Sequence, residues 1–131
     1  MRAGVAPAAA IPVFVASQAG AYAMAWSEPP DFTGPLHLTL FDAGGVQTSD
    51  GVIVDGKAVA FIATATGYAL AWATAAGVSL AEVDKTGHLV AAPVHISDDV
   101  IGDLSMLWDG SGIAMAWSEI PLKLYFMRVK A

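Results

Sequence analysis

The sequence predicts an all-β chain of three antiparallel units laid one after another. Trp26, Trp72 and Trp117 recur at spacings of 46 and 45 residues. The stretches ending in each align without a gap: VFVASQAGAYAMAW (13–26), VAFIATATGYALAW (59–72) and LSMLWDGSGIAMAW (104–117). In all three, two short apolar runs flank a cluster of small turn-forming residues, the pattern of a β-hairpin.

Each element follows from this alignment. The first strand of each unit is the run before the turns SQAG, TATG and DGSG. The second strand keeps strict register. Tyr22, Met24 and Trp26 alternate with Ala23 and Ala25; Tyr68, Leu70 and Trp72 with Ala69 and Ala71; Ile113, Met115 and Trp117 with Ala114 and Ala116. Period two puts the large residues on one face and alanine on the other. Both faces are apolar, so this strand is expected to be covered on both sides, with alanine letting a neighbouring sheet approach closely.

Third strands follow at LHLTLF (36–41), VSLAEV (78–83) and LYFMRV (124–129). The turns DAGG (42–45) and DKTG (84–87) lead to weaker fourth strands at GVIV (51–54) and HLVAAPVHI (88–96). The third unit has none. Residues 3–13, AGVAPAAAIPV, have the composition of the strand that precedes a hairpin and supply one orphan outer strand. The chain therefore reads as a single domain with repeats at about 13–56, 57–100 and 101–131.

Composition narrows the functions. Of 131 residues, 56 % are apolar and only 14 % charged, so part of the apolar surface is expected to be covered by a partner. The net charge of −6 argues against a nucleic-acid surface, which needs a basic stripe. No apolar run approaches the roughly 18 residues of a membrane helix. The opening MRAGVAPAAAIPVFVAS has the Arg and small apolar residues of a signal peptide, but two prolines interrupt it. Cleavage near residue 21 would also remove a strand. The absence of cysteine excludes disulfides, thiol chemistry and Cys-ligated zinc.

Four strands per unit at a period near 40–45 is the pattern of propeller blades. The chain resembles bacterial β-propeller repeat proteins, marked by the Trp-ended second strand. It lacks the recurring Gly-His and Trp-Asp pairs of the WD-repeat subfamily; Trp108-Asp109 occurs once, in a turn. Three blades leave open edges, whereas propellers close with 4–8. The resemblance thus implies half of a six-bladed propeller completed by homodimerisation, with the orphan strand of one chain finishing the last blade of the other. A piece of a longer protein and a compact prism of three sheets are the alternatives. Short-protomer propeller lectins are similar in scheme.

Trp-Ser-Glu occurs at 26–28 and 117–119, with Trp72-Ala73-Thr74 between. Trp stacks on sugar faces and Glu accepts sugar hydroxyls, so Trp26, Glu28, Trp72, Trp117 and Glu119 form the candidate ligand-binding set. The competing reading makes each Trp a packing residue and each Glu a solvated end, and the loss of Glu in the middle unit favours it. The propeller lectins also tend to use an Arg, and this chain has only Arg2 and Arg128. Asp42, Asp84 and Asp109 open Asp-x-x-Gly-like turns and suit turn chemistry better than calcium. Asp98, Asp99 and Asp103 suit an exposed connection. His37, His88 and His95 lack metalloprotease spacing and read as satisfied or solvated. No nucleophile elbow, phosphate loop or dinucleotide fingerprint is present. The expected function is a non-enzymatic binding or interaction module, without cofactor or metal. Its alternatives are a glycan-acting hydrolase, which needs two facing carboxylates, and a structural fragment of a larger propeller.

Overall fold

The computed structural model describes residues 13–30, 33–98, 101–119 and 123–130. They form eleven strands in three antiparallel sheets, with no helix among them. Sheet 1 holds β1 (Val13–Gln18), β2 (Ala21–Ser27), β3 (Pro35–Phe41) and β4 (Gln47–Asp55). Sheet 2 holds β5 (Lys57–Ala63), β6 (Gly67–Thr74), β7 (Gly77–Asp84) and β8 (Val94–Ser97). Sheet 3 holds β9 (Ile101–Trp108), β10 (Gly112–Glu119) and β11 (Lys123–Lys130). Each sheet is a meander in chain order. The orphan strand expected at 3–13 lies outside the described residues except for Val13, which opens β1.

The turns are held by local chemistry. Ala19 and Gly20 both take positive φ between β1 and β2, at 50° and 83°, the twist that a two-residue hairpin favours. Side chains brace the other two first hairpins. Thr64 Oγ1 accepts the Gly67 N–H at 3.2 Å, and Asp109 Oδ1 accepts those of Ser111 and Gly112 at 3.0 and 2.9 Å. Asp42 and Asp84 likewise cap backbone N–H groups of their turns.

Two expectations need correction. β4 begins at Gln47 rather than 51, because polar Gln47, Ser49 and Asp50 pair with Phe41, Leu40 and Thr39 on an open edge. The middle fourth strand does not run through 88–96. Leu89 makes an isolated bridge to Val83, and regular pairing resumes only at Val94. Pro93, with no N–H to donate, interrupts the ladder.

Sheet 2 lies between the others, with β1 packed along β5 and β5 along β9. Its two faces serve two separate cores. Tyr68, Leu70 and Trp72 pack with Ala23, Ala25, Leu36 and Leu38 of sheet 1. Ala69, Ala71 and Leu80 pack with Ile113, Met115 and Trp117 of sheet 3. At both seams a large-residue face of one sheet meets an alanine face of the next. Polar bonds tie the first seam. Ser27 Oγ accepts the Ala58 N–H at 2.9 Å, and the Gln18 amide donates to the carbonyls of Thr64 and Gly67. Gly56, at φ 149°, makes the passage from sheet 1 to sheet 2. A Cβ there would stand 2.7 Å from the Trp72 ring.

β6 is therefore covered on both faces, as its alternation predicts. β2 and β10 are each covered on one face by another sheet. The large-residue face of sheet 1 and the alanine face of sheet 3 form the two ends of the stack.

Candidate functional site

Trp26, Trp72 and Trp117 each sit near the C-terminal end of their sheet's second strand, and register decides what lies beside them. Trp26 faces His37 across β2 and β3, Trp72 faces Ser79, and Trp117 faces Tyr125. All three are less than a tenth exposed, at 8, 5 and 7 %.

Around Trp26 the side chains close into one network. The His37 ring stacks on the indole, centroids 4.1 Å apart and planes 10° from parallel. The indole N–H donates to Thr39 Oγ1 at 3.1 Å, and the Thr39 hydroxyl donates to Asp50 Oδ1 at 2.7 Å. Asp50 Oδ2 lies 3.1 Å from His37 Nδ1, and Glu28 Oε2 lies 2.6 Å from His37 Nε2. Burial pulls the His37 pKa down, but hydrogen bonds and charge from Glu28 and Asp50 outweigh it and leave the imidazole above its ordinary value. In its protonated form the ring donates on both sides, to Glu28 and to Asp50, and clamps the two carboxylates.

Around Trp117 the same strand positions give a different set. The indole N–H donates to Glu119 Oε2 at 2.9 Å, and Ser97 of sheet 2 donates to the same oxygen at 3.0 Å. Glu119 thus ties the second seam instead of standing solvated. Tyr125 stacks on Trp117 with centroids 5.5 Å apart. A groove of about 390 Å³ opens beside them, lined in part by Asp103, Ser118, Leu124 and Tyr125. Trp72 has neither carboxylate nor aromatic partner in register, and lies inside the first seam.

The five candidate residues therefore occupy three places. Trp26 and Glu28 are joined through His37 at one end of the stack, Trp72 lies in the first seam, and Trp117 with Glu119 lies at the second. They do not line one pocket. Sequence reasoning overlooked Asp50, Thr39 and Tyr125 as partners, and gave His37 no partner by name. His37 and Tyr125 are the third-strand residues opposite Trp26 and Trp117, a pairing that only the strand register discloses.

The remaining candidates are accounted for locally. His88 bonds Thr86 at 2.8 Å beside Asp84, and exposed His95 pairs with Asp98 at 2.6 Å. The Thr86 hydrogen bond leads the effects that hold the Asp84 carboxyl below its usual range. Arg128 binds Asp109 through Nε and Nη2, at 2.5 and 3.1 Å, and depresses that carboxyl further. The Asp103 N–H donates to Ser118 Oγ at 3.3 Å; Asp99 lies outside the described residues. Among the described residues no group of three or more His, Asp or Glu is placed to hold a metal ion.

No protein-family model, curated protein or solved structure matches the chain.

Proposed function

We propose that this chain is a non-enzymatic binding module of β-propeller type, three blades that a second copy completes into a six-bladed ring. One observation carries the proposal. The sheets stack in chain order with their first strands side by side, β1 on β5 on β9, and end in two unlike faces. Blades arranged around an axis have this order, and the two end faces hold the strand positions that form the two halves of each internal seam.

The site supports binding over catalysis. Glu28 and Asp50 converge on one imidazole and are held by it, whereas glycan hydrolysis needs one carboxyl free to protonate a leaving group and another facing it. In the carbohydrate-binding form of the proposal, Trp26, Glu28, Trp72, Trp117 and Glu119 mark the blade ends where a ligand meets the ring. The depth of the three indoles lends more support to a packing role for the tryptophans themselves.

A glycan array read for both retention and cleavage tests this. Retention without shortening of the sugars is the expected outcome for the carbohydrate form, and release of shorter sugars would replace the module with a hydrolase. Retention unchanged by Trp117→Ala would remove the tryptophans from the binding surface.

A further inference from the structure

We infer that the alanine face of sheet 3 docks on the tryptophan face of sheet 1 in a second copy of this chain, head to tail. This deepens the two-copy reading above and rests on it.

Positions that are buried in two sheets are exposed in the third. On the alanine face, Leu36 and Leu38 of sheet 1 are 0 and 3 % exposed, and Val78 and Leu80 of sheet 2 are 0 and 2 %. Their register counterparts in sheet 3, Leu124 and Phe126, are 80 and 73 % exposed. The alanines agree: Ala23, Ala25, Ala69 and Ala71 are fully buried, while Ala116 is exposed. The opposite face shows the converse. Tyr68 and Ile113 are 2 and 0 % exposed, and their counterpart Tyr22 is 42 %. Phe61 is 7 % exposed, and its counterpart Val15 is 66 %.

The alanine face of sheet 3 also holds grooves of about 390 and 110 Å³, with Ser105 and Ala116 in the lining of both. The free face of sheet 1 carries Tyr22, Met24 and Trp26, at the positions that Tyr68, Leu70 and Trp72, and Ile113, Met115 and Trp117, hold at the two internal seams. Leu38 with Phe61, and Leu80 with Met106, belong to the same cores within the chain. Phe126 and Val15 hold the corresponding positions on the free faces. Such a contact joins unlike surfaces, so it either closes a ring or propagates. With three sheets per chain, two copies close through two identical seams.

Phe126→Glu and Val15→Lys place opposite charges on the two free faces at exposed positions, so circular dichroism should stay that of the wild type. Sedimentation of the wild type should give two chains, and each variant alone should give one. An equimolar mixture should restore the pair, since one seam is then wild-type and the other joins carboxylate to ammonium. A wild-type dimer that neither variant disrupts, or variants that stay monomeric when mixed, would overturn the docking and leave the two-copy reading standing. A wild type larger than two chains, split by both variants and restored by mixing, would keep the docking and overturn the six-bladed ring. A monomeric wild type would overturn both.

Discussion

His37 links three strands of sheet 1 through its two ring nitrogens and its stacked face. Stacked on Trp26 and held between Glu28 and Asp50, it favours the imidazolium form once folded. Its stabilisation is therefore complete below pH 6.5, the ordinary value, and is lost as the pH rises through the higher value of the folded state. Urea unfolding across pH 5.5–8.5 should show stability falling above about pH 6.5, and His37→Ala should flatten that fall. Equal slopes in the two proteins would contradict the clamp. Trp72, 5 % exposed in the first seam, makes a second prediction at this scale. Trp72→Ala should cost about 3–5 kcal/mol in denaturant unfolding, and a loss under 1 kcal/mol would show the seam is looser than drawn. The packing role of Trp72 was legible in its spacing and in the missing glutamate. The His37 clamp was not, because the residue opposite Trp26 depends on β2–β3 register across the connection at 28–34, where no residue pattern fixes the offset.

At the scale of the element, the alternation of large residues with alanine is the main determinant. Ala71 is fully buried against sheet 3, whereas Ala116 at the same register position faces outward. Ala71→Leu should overpack the second seam and cost about 1–3 kcal/mol. Ala116→Leu should leave the fold of the chain intact and weaken association instead. Circular dichroism with sedimentation separates these effects, and similar losses of fold in both variants would show that the two faces are not different in kind. The second and third strands were readable because period two is a strong signal over six or more residues. The fourth strands were less so. β4 recruits polar residues that carry no apolar pattern, and the Ala-Ala-Pro stretch before β8 looks continuous in composition although Pro93 breaks the ladder.

For the whole molecule, the sequence indicated that both faces of the second strand are apolar. It did not show that large faces meet alanine faces in a fixed direction. That direction emerges only when the sheets stack, because Tyr68, Leu70 and Trp72 turn toward sheet 1 while Ala69 and Ala71 turn toward sheet 3. It leaves unlike ends, which the docking proposed above pairs through a second copy of the same chain. The solution mass, taken by light scattering on a size-exclusion column, tests this most directly. Two half-rings give about 27 kDa, twice the 13.4 kDa of one chain. A single species of 13.4 kDa at every concentration would contradict the shared ring and leave three sheets that stand alone.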